Sequence, residues 1–459
     1  MTSLKLFNTL SRQKEIFKPL KNGKVGFYSC GPTVYWNAHI GNLRSYINAD
    51  VLRRVLKYNG YQVKQVMNIT DIEDKIIKKA NQEHKKISEI TRYYEKLFFE
   101  DIKKLNIEKA EFYPRATRHI KEMISLIQKL LKKRIAYQGQ DKSIYFNISK
   151  FKNYGRLSSL KKRELKTGVR IEADEYNKNE AQDFVLWKHA KENELSWPTS
   201  FGDGRPGWHI ECSTMAIKYL GESFDIHSGG IDLIFPHHEN EIAQSEAATG
   251  KKFVKYWIHN EHILVDNQKM AKSLGNFYTI EDVENKKINP LAYRYLVLNS
   301  HYRSKLNFTW ESLWAAQNAL DNLYEKIIQI NTDSNEKEAK DSKLVNDYKK
   351  KFLETINDDL NTPKTLAILW KMVKDDKIPK QTKKQLISDF DKIFGLNLNK
   401  VKAPKIPQKI QEMANERWKL RANQQFIQAD ALRKKIEALG YIIEDTSEGY
   451  KISKIKSQK

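Results

Sequence analysis

The stretch FPHHENEIAQ, residues 235–244, puts two histidines and two glutamates within five positions, straight after a proline. Pro236 suits the first position of a helix, where its missing N–H costs nothing. Glu239 and Glu241 then fall near the positive end of the helix dipole. On such a helix His237 and Glu241 are four apart and share a face, and His238 is nearly as close to Glu241. The plain interpretation is an acidic helix start with two polar histidines. The chemical one is half of a metal site, with either histidine allowed by spacing, and it needs further ligands from elsewhere. The only two cysteines, Cys30 and Cys212, are far apart in the chain and form no local knuckle. A disulfide framework does not suit a chain of this size and composition. If the cysteines are ligands rather than buried thiols, distant parts of the fold assemble the site.

Two other short stretches suit phosphate chemistry. HIGN at 39–42 follows an expected strand, with GPTVY ahead of it. KMAKS at 269–273 comes much later in the chain, with SLGNF behind it. In this order and context they resemble the HIGH and KMSKS signatures of class I aminoacyl-tRNA synthetases. Amino-acid activation sends a carboxylate, already ionised, against the α-phosphate of ATP. It needs positive charge and N–H donors aimed at the moving negative charge more than it needs a strong base. The resemblance gives that role to His39 at a helix start, to Asn42, and to Lys269 and Lys272 on a loop. Asn42 stands where the signature has histidine, so it can donate a hydrogen bond but not as a cation. Ala271 replaces a serine and leaves both lysines in place.

The segments RPGWHIECS (205–213) and FDIHSGGIDLIFPHHENEIAQ (224–244), with Cys30 just before GPTVY, closely resemble the cysteinyl-tRNA synthetase family. The likeness runs from about residue 4 to 450. It implies one zinc per chain, held by Cys30, Cys212, His237 and Glu241, with the sulfur of substrate cysteine joining as a fifth ligand. Zinc binds a thiolate readily, whereas pocket shape alone rejects a near-isostere such as serine only about a hundredfold. Four protein ligands would otherwise read as a closed structural site. The same likeness places Thr70, Trp208, His227 and Asp232 around the amino acid. It puts Gly229 and Gly230 beside adenosine, together with His39, Asn42 and Lys272 around ATP and its magnesium. His238 and Glu239 are left as supporting residues.

These groups must be carried by elements that bring them together. KVGFYSC (24–30), a helical pattern ending at Gly60, the strand YQVKQVMNIT (61–70) and a further helix signal alternate as in a parallel sheet. The fold class expected is α/β: a Rossmann-like catalytic domain with an insertion, then a helical bundle and a small basic C-terminal domain. The expected boundaries are 1–111 and 206–265 for the two halves of the catalytic domain and 112–205 for the insertion, which is too small for an editing domain. A lysine-loop and stem-contact region follows at 266–310, the bundle at 311–399 and an anticodon-binding module at 400–459. SFDIHSGGIDLIFP (223–236) and WIHNEHILVD (257–266) are expected to be strand-like, and the chain after 310 almost wholly helical.

Composition sets the class of partner. Lys and Arg number 81 against 57 Asp and Glu, a formal net charge of +24, and the stretch 400–459 holds 14 basic against 7 acidic side chains. A polyanion is the expected partner, nucleic acid before a membrane surface; a lysine-rich proteome is the bland alternative. No apolar run approaches the length of a membrane span, so a cytoplasmic monomer is expected. The resemblance implies a cysteine–tRNA ligase acting on L-cysteine, ATP and tRNA(Cys). The alternatives are a cysteine:amino-sugar ligase of mycothiol synthesis, which lacks the C-terminal module, and a non-catalytic RNA-binding protein on a synthetase fold.

Overall fold

The computed structural model describes residues 2–160, 165–170, 181–191, 194–270, 274–332, 342–403, 406–446 and 449–454. The chain divides into two compact units, Met1–Lys400 and Val401–Lys459.

In the first unit, four parallel strands form the central sheet: β1 (Lys24–Ser29), β2 (Gln62–Met67), β3 (Phe224–Gly230) and β4 (Val254–Asn260). Their spatial order is β4–β3–β1–β2. The chain leaves β1 towards β2, then returns to the other side of β1 for β3, so the connections diverge between β1 and β3. A groove opens at the carboxyl ends of strands at such a divergence. Tyr28 is aligned with His227 and Ser29 with Ser228, and Cys30 N–H donates to Ser228 O at 3.2 Å. Cys30 thus leaves β1 directly at the groove. All seven residues of β3 are buried, as expected of a strand covered on both faces.

The expected strand at 223–236 stops at Gly230, and a 3-10 turn (Ile231–Leu233) and one wider turn (Ile234–His238) follow it. Pro236 lies in that wider turn, and the regular helix begins only at Glu239. The expected strand at 257–266 is also two pieces, Val254–Asn260 and Ile263–Val265. The break is held by a side chain. Buried Arg44 donates from Nη1 to Glu261 O at 2.7 Å and to His262 O, and from Nη2 to Ser304 O.

Helix α1 (Ile40–Tyr58) joins the two ends of this unit. Near its middle, buried Asp50 accepts from Arg294 Nη2 at 2.5 Å and from Arg54 Nε at 2.8 Å. The same guanidinium groups hold Phe394 O and Lys392 O, at the end of the helix Lys380–Phe394. Burial would raise the Asp50 carboxyl, but Arg294 and Arg54 hold it below the ordinary carboxylate value. The residues between 112 and 205 supply the helix Ile120–Lys132 and strands including Ile144–Phe146 and Ala181–His189. Phe146, Phe184 and Trp187 share one apolar core with Tyr28, Val66 and Ile210, so this segment is packed onto the core beside the central sheet. Helices Trp310–Thr332, Ser342–Ile356, Thr362–Lys374 and Lys380–Phe394 follow.

In the second unit, helices Gln408–Ala422 and Phe426–Ala438 are followed by an antiparallel hairpin, Tyr441–Thr446 with Gly449–Lys454. The hairpin departs from the expected all-helical tail. The alternation in YIIEDT and GYKISK lets Ile443 pack on Ile410, Ala414 and Ile436, while buried Arg417 grips Asp445 through both terminal nitrogens.

Replacing Asp50 by Ala leaves Arg294 buried without its carboxylate, which typically costs about 3–5 kcal/mol. Urea unfolding of Asp50→Ala is expected to show a loss of that size, and a loss under about 1 kcal/mol would show that the carbonyls alone satisfy the guanidinium groups.

Candidate metal and nucleotide site

Helix α2 (Trp208–Leu220) and helix α3 (Glu239–Thr249) bring the remaining ligand candidates to the groove. Cys212 lies one turn into α2, and Glu241 lies in the first turn of α3. Glu241, His237 and Cys212 are buried, and Cys30 is partly exposed. The donor atoms of Cys30, Cys212, His237 and Glu241 all lie within 4.8 Å of one another. Donors at about 2.0–2.3 Å from a tetrahedral zinc stand roughly 3.3–3.8 Å apart, so the group needs only a small contraction. Glu241 Oε1 lies 3.0 Å from His237 Nε2 yet makes no aligned hydrogen bond. A buried carboxylate oxygen left in that state is what a cation would satisfy. Two sulfurs, an imidazole and a carboxylate are donors of the kind zinc takes.

The electrostatics agree with that fit. Burial would raise Glu241, but His227 and His237 hold it down to about 2. His237 is lowered by burial and raised more by Cys212 and Glu241, to about 10. The hydrogen bond that the Cys212 thiol donates to Cys30, then burial, pushes Cys212 well above its usual value. With protein groups alone, the His237 imidazolium pairs with the Glu241 carboxylate and the thiols stay protonated; a cation is what would ionise them.

Histidines support the ligand candidates from behind. His237 Nδ1 lies 2.9 Å from His209 Nδ1, and burial holds His209 neutral. His238 lies closer to the thiols than a supporting residue need be: its Nε2 is 3.3 Å from Cys30 Sγ, and its Nδ1 is 2.7 Å from His259 Nε2. His259 Nδ1 in turn meets Thr9 Oγ1 at 2.8 Å. Glu239 points away and accepts from the backbone of Gly155 and Ser158 and from the Ser158 hydroxyl. Sequence reasoning gave His209 and His259 no part. Their only signal was a histidine within two positions of a tryptophan in GWHIEC and WIHNEH, which fits a core residue equally well.

The residues assigned to the amino acid are spread around the same groove. The Trp208 ring lies over His237 with centroids 4.2 Å apart. His227 Nε2 meets Glu241 Oε2 at 3.0 Å, and its ring stacks on Trp257. Asp232 is exposed, just beyond the end of β3. Thr70 is buried, donates to Glu211 Oε2 and accepts from Asn68 Nδ2, so only one lone pair remains to meet a ligand. A Cβ at Gly229 would stand 2.8 Å from His238 Cε1 and 2.9 Å from Leu233 Cδ1. The bare backbone there admits the histidine ring, a packing reason separate from the adenosine contact expected of it. A Cβ at Gly230 would collide with Asp232 Oδ1.

His39 caps α1. Its Nδ1 accepts from Asn42 N–H at 3.2 Å, and Asn42 Oδ1 accepts from His39 N–H at 3.3 Å. The cap puts the imidazole proton of neutral His39 on Nε2, as a donor. Asn42 spends its carbonyl oxygen on the cap and keeps its amide N–H groups as donors. The second signature reaches the first. A Cβ on Gly41 would stand 2.9 Å from Met270 Cε and 2.9 Å from His39 Cε1. Ile40 N–H donates to Tyr278 O at 2.9 Å, and the His39 ring packs on Phe277. Lys269 is exposed and pairs with Leu264. Lys272 lies outside the described residues.

With this geometry, likeness to known proteins becomes informative. Residues 16–318 match the family of tRNA synthetases class I (C), catalytic domain. Methionyl-tRNA synthetase of Mycobacterium tuberculosis, in complex with methionyl-adenylate, has the same fold at 14% identity, with a TM-score of 0.63 over 83% of this chain and 94% of that one. The fold and the paired signatures are those of a class I aminoacyl-tRNA synthetase. The cysteine–tRNA ligase of Brachyspira hyodysenteriae is 45% identical over 471 residues, covering 98% of this chain and 99% of that protein. Those of Leptospira interrogans serovar Lai and Thermococcus onnurineus are 46% and 44% identical, covering 98% and 97% of this chain. The chain belongs to the cysteine–tRNA ligase family and is an aminoacyl-tRNA synthetase. No helix among the described residues is long and apolar enough to cross a membrane.

Gly41→Ala tests the meeting of the two signatures. The added methyl must displace Met270 or the His39 ring, and a misplacement near 1 Å can cost about a hundredfold in rate. Pyrophosphate exchange is expected to fall by that order while the melting curve shifts by less than about 2 kcal/mol. An unchanged rate would show that Met270 yields freely.

Proposed function

We propose that the chain activates L-cysteine with ATP and transfers it to the 3′ end of tRNA(Cys), selecting cysteine through a zinc ion held by Cys30, Cys212, His237 and Glu241. The observation that carries this reading is the convergence of those four donors at the strand divergence. It is supported by relatives whose likeness extends through the last unit of the chain. When bound, zinc supplies a Lewis acid that takes a thiolate in preference to a hydroxyl.

The other steps fall to this chain's own side chains. The Thr70 lone pair and the Asp232 carboxylate are both acceptors, suited to the substrate ammonium. Trp208 covers His237 and narrows the groove to a short side chain. The His39 Nε2–H, the Asn42 amide, the start of α1 and Lys269 present donors to the phosphates of magnesium-bound ATP, and Lys272 is assigned the same task. Since the nucleophile is already ionised, these groups act by holding the phosphates in line and stabilising charge as pyrophosphate leaves. Gly229 and Gly230 leave the end of β3 without side chains where adenosine would lie.

The unit Val401–Lys459 is assigned to the anticodon end of tRNA. Phe426 and Ile427 are 53% and 89% exposed, and Arg421 lies over the Phe426 ring at 5.8 Å. Exposed apolar side chains beside a guanidinium suit unstacked bases. The protein is expected to work as a cytoplasmic monomer.

Cysteine alone among the amino acids is expected to drive ATP–pyrophosphate exchange. Cys212→Ser is expected to lower bound zinc, measured by metal analysis, and to raise the KM for cysteine at least about tenfold. Equal exchange with serine, or full activity after rigorous chelation, would overturn the zinc reading.

Removing the residues after Lys400 tests the tRNA reading. Cysteine-dependent exchange should persist, while tRNA charging falls sharply through weaker tRNA binding and becomes less salt-dependent as phosphate contacts are lost. Full charging by the truncated chain would sink the anticodon role, and an equal loss of exchange would mark the tail as a brace.

A further inference from the structure

Glu241 faces two sets of donors at once. Its Oε1 stands 3.0 Å from His237 Nε2, and its Oε2 stands 3.0 Å from His227 Nε2. Cys30 is shared in the same way, since its Sγ lies 3.3 Å from His238 Nε2. The donor atoms of Cys30, His227, His238 and Glu241 lie within 4.8 Å of one another, the same limit that the first group meets. We propose that His227 and His238, with Cys30 and Glu241 as bridging ligands, form a second divalent-cation site that binds zinc in excess and competes with cysteine. The proposal rests on the zinc reading of the first group.

The chemistry of the shared residues favours it. A thiolate and a carboxylate each have lone pairs for two ions, and an imidazole nitrogen does not. The shared residues are the thiolate and the carboxylate, while each histidine belongs to one set only. In paired sites bridged ions lie about 3.5–4 Å apart, and Glu241 meets His237 and, at 4.0 Å, His238 through Oε1 while Oε2 meets His227. Charge points the same way. Zinc held by two thiolates, a carboxylate and a neutral imidazole leaves a buried centre of net charge −1, which attracts a second cation.

The outer partners orient His238 for this role. Metal-bound histidines ordinarily donate their other N–H to a neighbour. With His238 Nδ1–H donating to His259 Nε2, and His259 Nδ1–H to Thr9 Oγ1, the lone pair of His238 Nε2 faces Cys30. The reverse polarity runs from the Thr9 hydroxyl inward and ends in an N–H donated to the Cys30 thiolate, with no room for a second ion. Competition follows from His227, which is assigned both to the cysteine pocket and to this second set.

The test is a zinc titration of the zinc-free full chain in metal-buffered solution, read as ions bound per chain. Two ions are expected, the second weaker, with excess zinc raising the KM for cysteine and leaving that for ATP unchanged. In cobalt-substituted protein, the second equivalent should couple magnetically to the first. His238→Ala, and independently His227→Ala, should keep the first ion and weaken the second at least about tenfold. A single ion at all zinc concentrations would overturn the proposal and leave His238 as a donor to Cys30. A second ion bound equally well by both variants would place it elsewhere and also overturn it. Binding of no ion at all would remove the first reading together with this one.

Discussion

A carboxylate sealed in the interior is the constraint on which the functional end of this molecule depends. Glu241 is fully buried, and a group of that charge must be compensated where it stands. His227 and His237 supply part of the compensation, from β3 and from the turn before α3. Cys212 and Cys30 add two more groups that are comfortable as anions only beside a cation. The fold thus gathers one carboxylate and two thiols at one point, and burial holds His209, His238 and His259 around them neutral. That set of donors is one a metal cation would satisfy, which makes the strand divergence more than a packing feature.

The second constraint is alignment over distance. HIGN and KMAKS stand far apart in the chain, yet Met270 lies against Gly41 and Ile40 bonds to Tyr278. Arg44 is a physical link. It sits one turn inside α1 and holds the carbonyls of Glu261 and His262, where the chain leaves β4 towards the lysine loop, and of Ser304, beyond that loop. Further along, Asp50 and Arg54 tie the same helix to Arg294 and to the end of the helical bundle. One helix therefore carries the HIGN signature at one end and the attachment of the bundle at the other. A rigid rod with buried ionic anchors is a good way to keep a loop in register with a distant site.

Much of this was legible in the sequence. The alternation of strands and helices from 24 to 82, the helices after 310, and the four candidate ligands all show in residue type, spacing and family likeness. Local pattern failed where tertiary packing took over. The strand expected at 257–266 breaks because Arg44, far upstream in the chain, claims the carbonyls of Glu261 and His262. The hairpin at 441–454 was hidden by its charged residues, although its buried Ile443 alternates as a strand should.

The sequence by itself determined the donor types, the two signatures and their order, because these are properties of residues and near neighbours. It also brought His237 and Glu241 together as residues four apart, although the regular helix starts only at Glu239 and His237 reaches Glu241 from the turn before it. Only the tertiary structure decided that His238 reaches Cys30, that His209 and His259 stand behind the candidate ligands, and that Glu241 meets His237 through one oxygen and His227 through the other. Those relations join β1, β3, β4, α2 and α3, whose mutual placement follows from burying a shared core. No spacing along the chain encodes a distance that arises only when separate elements are packed together.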